Sequence, residues 1–250
     1  GQAKGTAAPG ATSGNGINFH GGPIMSNPIH LYYIWYGDWS KNTTAQSLLP
    51  FLANNIGASP YFNINTTYNQ GSTASPVSKT VSLAGTASVT NYPYGTNLSD
   101  AQIRQVVIDA MNSGALPIDS DGIYFVLTSS NVNASSGFCT NYCGWHTYFS
   151  ATVSGSRKYF KYSFIGDVSR CLAACAAQSA SPNGNPGADG MASILAHELE
   201  EAASDPLLNA WYDTRGAENA DKCAWTFGTT YTSNGALANM NIGGKDFLIQ

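Results

Sequence analysis

The sequence predicts an α+β fold, in which a mixed, twisted β-sheet packs against two or more helices. Hydrophobic residues make up 43% of the chain, which is enough for a large core. Short aromatic and β-branched runs, typical of strands, alternate with segments of helical periodicity. No repeat and no break in composition marks a second domain. Residues 17–250 are therefore expected to form a single α+β domain, after a flexible N-terminal arm at residues 1–16 that is rich in Gly, Ala, Ser and Thr.

The first predicted elements are a buried strand and a helix. Residues 29–36 are aromatic and β-branched, which is typical of a buried strand. Residues 43–55 have leucines at helical spacing, although Pro50 inside the segment disfavours a helix. Residues 60–92 show short alternations of Thr, Ser, Val and Tyr, which indicate β-hairpins or meander strands.

The best defined helix runs from Ser99 to Gly114. Ser99 and Gln102 match the S-x-x-Q capping box, an apolar stripe follows, and Gly114 supplies the stop. Further strands are expected at residues 122–127, 145–153, 159–165 and 247–249.

The composition argues against several classes of protein. Charged residues are only 10% of the chain, against roughly 25% in an average soluble domain, and the net charge is −4. Since Lys and Arg do not cluster, no nucleic-acid partner is expected. No apolar run reaches the roughly 20 residues of a membrane span. No signal-peptide pattern opens the chain, so Gly1 is expected to begin a mature or trimmed protein, and a monomer is expected.

Cysteines and glycosylation sequons indicate a secreted protein, located outside the cell or in a cell wall. Four of the five cysteines form two C-x3-C pairs, Cys139 with Cys143 and Cys171 with Cys175. A disulfide within each pair is the simplest arrangement, which leaves Cys223 free and buried or in a different pairing. A cysteine-rich zinc site is the rival interpretation. Four Asn-x-Ser/Thr sequons are candidate glycosylation sites: Asn42, Asn65, Asn97 and Asn133.

The chemical signal of the sequence is concentrated in one predicted helix, Asp189 to Ala203, which Pro206 ends. His197 and Glu201 are four residues apart, so they share a helix face and their side chains can reach one ion. Glu198 lies beside this pair, where the glutamate of H-E-x-x-H helices acts as the general base on metal-bound water.

In this chain the segment is H-E-x-x-E, with a carboxylate in place of the second histidine, and zinc accepts both ligand types. Glu198, Glu200 and Glu201 lie near the C-terminal end of the helix, where each opposes the helix dipole at roughly 0.3–1 kcal/mol. A bound cation would relieve that cost. The alternative is a solvated acidic face on an amphipathic helix, but the low charge content of the chain favours a site.

A zinc site needs a further ligand from elsewhere in the chain. Glu218 and Asp221 follow the helix at a distance that suits a returning loop. Glu218 is the preferred ligand, and Asp221 either binds the ion or orients a histidine. Asp205 and Asp213 are weaker candidates, and Asp205 is expected to shape the turn at Pro206.

The other histidines favour structural roles. His146 follows a cysteine pair and is expected to be a hydrogen-bonded structural residue, with lining of the cleft as the alternative. His20 lies in a predicted turn and His30 in the core of a predicted strand. No G-x-S-x-G, P-loop or Rossmann glycine pattern supports another chemistry.

Several short stretches match a known family, and they span nearly the whole chain: His20–Met25, Ile34–Gly37, Phe138–His146 and Asp189–Trp225. With them the sequence resembles the phosphate-induced protein 1 / EXORDIUM-like family of secreted, cell-wall-associated proteins. The resemblance implies a role in growth and cell-expansion responses for the plant members. The present chain departs from those by its complete H-E-x-x-E.

In that segment the chain resembles microbial relatives with H-E-x-x-E-A-x-[ST]-D-P, here His197–Pro206, and a later E-x-x-D-x-C, here Glu218–Cys223. These relatives look like zincin-type metalloproteases. The resemblance therefore implies a microbial-type member of the family with a zincin-like active-site helix.

Two functions of different classes follow. The first is a secreted zinc-dependent hydrolase, a metallopeptidase that acts on a polypeptide or cell-wall substrate. His197, Glu201 and Glu218, with Asp221, would hold the zinc, and Glu198 would be the general base.

The second is a non-enzymatic extracellular protein that binds cell-wall glycan or a partner through some of its 14 Tyr and 5 Trp residues. Structural calcium is the alternative to zinc, held by the oxygen-rich set Glu201, Asp205, Glu218 and Asp221.

Overall fold

The structure is a computed structural model that describes residue 1, residues 16–71 and residues 75–250. All but the first and last residues of the predicted arm at 1–16 lie outside the described residues.

A five-stranded mixed sheet forms the centre of the described structure. Its strands are β1 (Ile29–Tyr36), β2 (Val81–Val89), β3 (Gly122–Thr128), β4 (Gly144–Val153) and β5 (Ser156–Gly166). Their order is β2-β1-β3-β5-β4, with β4 at one edge and antiparallel to β5, while the other neighbours pair in parallel. The central strands β1 and β3 are buried almost throughout, which explains their continuous apolar and aromatic sequences. The predicted mixed sheet is confirmed.

Helices cover both faces of this sheet. They are α1 (Thr43–Asn55), α2 (Asp100–Asn112), the one-turn α3 (Leu172–Cys175) and α4 (Pro186–Ser204). Tyr33 donates a hydrogen bond to the Leu49 carbonyl in α1 at 3.2 Å, and Tyr36 donates to the Gly95 carbonyl, upstream of α2, at 2.8 Å. Residues 33 and 36 of a strand point to opposite faces, so α1 and the segment leading to α2 lie on different sides. Helix α4 packs against α1, β4 and β5.

Shorter elements complete the described structure. Short strands form three antiparallel pairs and one parallel pair. The antiparallel pairs are Asn18–Phe19 with Trp211–Tyr212, Tyr231–Ser233 with Ala236–Ala238, and Met240–Ile242 with Lys245–Phe247, and the parallel pair is Asn97–Leu98 with Asn133–Ala134. The 3-10 helices are Phe62–Thr67, Val168–Cys171 and Ala220–Cys223. Within the described ranges, no helix has both the length and the apolar character needed to cross a bilayer.

The segment at residues 60–92 does not form the expected hairpins. It holds a 3-10 helix and then β2, which pairs in parallel with β1 after the crossover through α1. The alternation that the sequence shows is present in the structure of β2. Its buried and more exposed residues alternate because the strand lies at the sheet edge. The same alternation occurs in a parallel edge strand and in a hairpin strand. The sequence pattern therefore could not predict how β2 pairs.

The start of α4 differs from the prediction and depends on a polar network. Asn185, rather than Asp189, caps the helix by accepting a hydrogen bond from the Ala188 N–H at 3.0 Å. Its side-chain amide also donates to Asn42, the cap of α1, at 2.9 Å. Asn42 in turn donates to the buried Asp167 at the end of β5, at 2.9 Å. The two helix starts and the sheet are thereby held together.

Burial removes two of the four sequons as glycosylation sites. Asn42 is only 6% exposed, and Asn65 is fully buried and donates to the Glu200 carbonyl at 3.1 Å. Neither side chain can receive a glycan in the folded protein. Asn97 is exposed and Asn133 is partly exposed, so these two remain accessible.

The disulfides connect the two C-x3-C pairs, and the predicted bridges within each pair are wrong. Cys139 bonds Cys171 and Cys143 bonds Cys175. Cys171 and Cys175 lie one helical turn apart and face the segment that precedes β4, where their partners lie. Cys223 is free, and it is exposed rather than buried.

We predict that replacing Cys143 and Cys175 together by Ser lowers the free energy of unfolding by about 2–3 kcal/mol, because with the Cys139–Cys171 bridge intact this bridge closes a ring of only about ten residues. Urea unfolding of the variant and the wild type measures the difference. Peptide mapping without reductant should yield the cross-linked pairs 139–171 and 143–175. Recovery of a 139–143 bridge would contradict this arrangement.

Candidate functional site

Helix α4 carries its ionisable residues through the protein interior. Every residue from Gly190 to Ser204 is buried, and His197, Glu198 and Glu201 are exposed by no more than 3%. The alternative of a solvated acidic face is therefore wrong. Charged side chains are almost never buried unless they are paired or bind a cation, so this helix requires compensation from its surroundings.

A glycine in β4 lets the helix approach the sheet at this point. A Cβ atom on Gly144 would lie 2.7 Å from Ile194 Cγ2 and 2.9 Å from the Phe164 carbonyl oxygen. Any larger residue would push α4 away from β4. The same side of Gly144 faces Glu198, whose Oε1 would be 3.5 Å from that Cβ atom.

Three of the predicted site residues converge as a potential metal-binding group. His197 Nε2 lies 3.0 Å from Glu201 Oε1 and 3.5 Å from Asp221 Oδ1. The three side chains offer ligand atoms that all lie within 4.8 Å of one another. His197 Nε2 is buried, and these two carboxylates are polar groups that face it. The Asp221 N–H donates to Glu201 Oε1 at 3.0 Å, which fixes the returning loop against α4.

Glu218, the preferred third ligand, lies against a different histidine. Its Oε2 is 2.9 Å from His146 Nε2, which is itself 3.7 Å from Glu201 Oε2. His146, Glu198 and Glu201 form a second group whose ligand atoms lie within 4.8 Å of one another. The structure thus places Glu218 at the edge of the cluster and Asp221 next to His197.

His146 was expected to have a structural role beside the cysteines, whereas the structure places it within the cluster. It is buried and lies in β4, two positions after Gly144. Alternate residues of a strand share a face, so His146 points toward α4 as the missing Gly144 side chain would. The sequence feature that could have indicated this position is the spacing of Gly144 and His146, which are two residues apart.

Electrostatics couple the members of the cluster. Burial acts to lower the pKa of His197, but the charge of Glu201 and the contacts with Asp221 and Glu201 together outweigh it, and the pKa is raised to about 10. Burial likewise acts to lower the pKa of His146, but the charge and hydrogen bond of Glu218, with the charges of Glu201 and Glu198, together raise it to about 9. Burial raises the pKa of Glu218 to about 8. Burial also acts to raise the pKa of Asp221, but its hydrogen bond and proximity to His197 prevail and lower it. The surplus of carboxylates favours positive charge at both imidazoles.

A further positive group stands beside Glu198. The α-amino group of Gly1 donates to Glu198 Oε1 and to the Gly144 carbonyl, the latter at 2.7 Å. The negative charges of Glu198, Glu201 and Asp221 raise the pKa of this amino group despite its burial.

The face of β4 opposite the cluster carries Trp145 and Thr147, which alternate with His146 along the strand. A cavity of about 310 Å³ lies next to it, and its lining includes Trp145, His146 and Tyr162. The neighbouring rings of Trp145 and Tyr162 meet edge to face at 5.6 Å between centroids. The cavity therefore lies across the strand from the buried carboxylates of the cluster, none of which lines it.

The weaker candidates have structural roles. The Asp205 carboxylate accepts the N–H groups of Asn209 and Ala210, both at 2.6 Å, which confirms its predicted role in the turn. His20 stacks on Tyr212 with 3.8 Å between ring centroids. His30 lies in β1 as predicted, but it is half-exposed and pairs with Asp119 at 2.6 Å, so its expected core position is wrong.

Asp213 closes the loop that carries the two acidic site residues. Its carboxylate accepts the N–H groups of Arg215 at 2.8 Å and Ala217 at 2.9 Å, and the ammonium of Lys222. Lys222 directly follows Asp221, so these contacts define both ends of the loop. The hydrogen bond from Lys222 is the main reason that the pKa of Asp213 is lowered, to about 2.

We predict that Asp213→Asn lowers the melting temperature at pH 7 and that this difference disappears as the pH falls toward 2. A carboxyl group with a lowered pKa stabilises the fold above its ordinary pKa of 3.8, and this contribution is lost as pH falls to about 2. Thermal unfolding followed by circular dichroism across this pH range measures it. A melting difference that is the same at pH 7 and pH 2 would contradict the role of the charge.

Comparisons with known proteins agree with one another. The sequence profile described as "Phosphate-induced protein 1 conserved region" matches residues 17–245. Protein EXORDIUM-like 5 of Arabidopsis thaliana is 32% identical over 94% of this chain and 74% of its own length. Protein EXORDIUM-like 3 of the same plant is 30% identical over 94% and 79%. Protein PHOSPHATE-INDUCED 1 of Nicotiana tabacum is 27% identical over 78% and 67%. No solved structure matches the chain.

Proposed function

The chain belongs to the phosphate-induced protein 1 family. From the geometry of the cluster, we propose that it is a secreted zinc-dependent hydrolase of microbial type. The observation that supports this proposal is the convergence of His197, Glu201 and Asp221 around one buried point. The two disulfides among the described residues and the absence there of a membrane-spanning helix are consistent with secretion.

The donor set and its spacing fit zinc. Ligands about 2.0–2.2 Å from a tetrahedral zinc lie about 3.3–3.6 Å apart. His197 Nε2 is 3.0 Å from Glu201 Oε1 and 3.5 Å from Asp221 Oδ1, which small side-chain movements bring into that range. The burial of His197 Nε2 between two carboxylate oxygens is the further indication, because a cation shared by the three side chains would lie at this point. Glu218 would hold His146 beside this group.

Zinc is favoured over calcium by the same donors. Calcium takes six to eight oxygen ligands as a rule, roughly 2.3–2.6 Å away. In the structure, Asp205 uses its carboxylate for two backbone N–H groups and belongs to neither potential metal-binding group among the described residues. The imidazole nitrogen of His197 replaces an oxygen in the remaining set.

Glu198 is assigned the general-base role. Bound zinc would polarise a scissile carbonyl and lower the pKa of a water molecule. Glu198 lies beside the ligands on α4, and its carboxylate is close to both Glu201 and His146. From this position it can take a proton from the attacking water and pass it on.

The sheet edge favours a polypeptide as the substrate. Strand β4 carries His146 and pairs on one side only within the described structure, with β5. An exposed strand edge presents unpaired N–H and C=O groups that an extended peptide can bind. A peptide added there would run along the strand that carries His146, which makes the chain a metallopeptidase in this proposal.

We predict that Glu198→Gln retains zinc while its turnover falls about 100-fold or more, since a general base contributes roughly 10²–10⁴. The wild type should hold one zinc per chain, and His197→Ala should lose it. Elemental analysis after dialysis gives the metal content, and hydrolysis of a mixed peptide library gives turnover. Glu200→Gln is the matched control, because Glu200 is a buried glutamate of the same helix outside both ligand groups. Full activity of Glu198→Gln would refute the assigned role.

A second candidate is a non-enzymatic extracellular protein of the EXORDIUM-like type that binds cell-wall glycan. The comparisons favour it, because none of the names of the relatives refers to an enzyme. Tyr148 and Tyr159 are 36% and 39% exposed, and their rings lie 5.9 Å apart between centroids. Exposed aromatic rings of this kind can stack against sugars.

For this second candidate we predict that binding to an insoluble cell-wall preparation is unchanged when a chelator removes divalent cations. A pull-down assay with and without chelator measures the bound fraction, and albumin serves as the non-binding control. A hydrolase that recognises its substrate through zinc would be released by the chelator. Release would therefore count against a metal-independent binding protein.

A further inference from the structure

A second cavity, separate from the histidine cluster, is lined by an unusual share of the basic residues. Its volume is about 240 Å³, below the roughly 300–1,000 Å³ of pockets for drug-sized ligands. Three basic residues line it, Arg157, Lys158 and Lys161, with Asp121 as the acidic one. In a chain of net charge −4 with 11 basic residues, this is a local excess of positive charge.

The fold builds this cavity from fixed elements. Arg157, Tyr159 and Lys161 alternate along β5, so their side chains share one face of the strand. The start of β3 supplies Asp121, and the turn after α4 supplies Leu207. The cavity thus lies where the parallel strands begin, and no residue of the histidine cluster lines it.

Lys161 gives the cavity an unusual donor. It is only 6% exposed, and its ammonium donates to the Ser120 carbonyl. An ammonium has three N–H donors, so this carbonyl leaves donors to spare. Burial lowers the pKa of Lys161 to about 8, although Asp121 acts in the opposite direction. A bound anion would offset the cost of keeping this cation out of water.

The other lining groups suit a ligand with hydroxyl groups beside its charge. Asp121 can accept hydroxyl protons, and Asn27, which donates to it at 3.3 Å, adds an amide at the rim together with Ser26. Tyr159 provides an aromatic face, with the Arg157 guanidinium 5.6 Å from its centroid and Tyr148 beside it. A bare inorganic anion would meet the repulsion of Asp121 and would not use the ring.

We propose that this cavity binds a carboxylate-bearing sugar, such as a uronate unit of an acidic polysaccharide. The proposal rests on the second candidate function, glycan binding, and assigns to it a site and a class of ligand. Basic side chains would hold the sugar carboxylate, Asp121 and Asn27 its hydroxyl groups, and Tyr159 the apolar face of its ring.

Isothermal titration calorimetry with an oligomer of galacturonic acid tests the proposal. The matched ligand is the same oligomer with methyl-esterified carboxyl groups, which should bind at least about tenfold more weakly. Arg157→Gln and Lys161→Gln should each weaken binding of the acid about tenfold, and Tyr159→Ala should do so as well. Lys41→Gln, which removes an exposed cation elsewhere, should bind as the wild type does.

The possible results distinguish an error in the assigned site from an error in the proposed function. If the acid binds the wild type and all three cavity variants equally, glycan binding stands but this cavity is the wrong site. If the acid does not bind at all, the uronate proposal is overturned, and the pull-down with the cell-wall preparation decides separately whether the chain binds glycan. Equal binding of the methyl ester overturns carboxylate recognition. Displacement of the oligomer by an equal concentration of inorganic phosphate overturns recognition of a sugar.

Discussion

The burial of charge on one helix is the constraint on which the rest of the structure depends. Helix α4 passes through the interior with His197, Glu198 and Glu201, none of which is exposed by more than 3%. Leaving such groups unpaired in an apolar interior costs several kcal/mol each as a rule. Two neighbouring elements bring compensating groups to these side chains. Gly144 allows β4 to lie close to α4, and the loop after the helix places Asp221 beside Glu201.

The protein is organised so that few fixed points hold these elements in place. The cap residues Asn42 and Asn185 join the starts of α1 and α4, and Asp213 closes the returning loop. Two disulfides tie the segment before β4 to the segment after β5. Each of these devices lies next to an element that contributes to the cluster. The polar network therefore serves the geometry of the site as well as the stability of the fold.

Local sequence patterns predicted much of the local structure. They could not predict contacts between segments that are distant in the sequence. The capping box at Ser99 formed as predicted, and H-E-x-x-E spacing placed His197 and Glu201 together, because both depend on helix geometry alone. The approach of His146 to α4 depends on which face of β4 meets the helix. The disulfide partners, such as Cys139 and Cys171, depend in the same way on how two chain segments meet.

Whether a metal ion binds at the cluster can be observed directly. X-ray absorption at the zinc edge of the zinc-loaded, dialysed protein reports the type and distance of the ligands. A site made by His197, Glu201 and Asp221 predicts nitrogen and oxygen neighbours at about 2.0–2.2 Å, with the imidazole signal lost in His197→Ala. A spectrum that shows only water oxygens, unchanged by that substitution, would contradict the proposed zinc site.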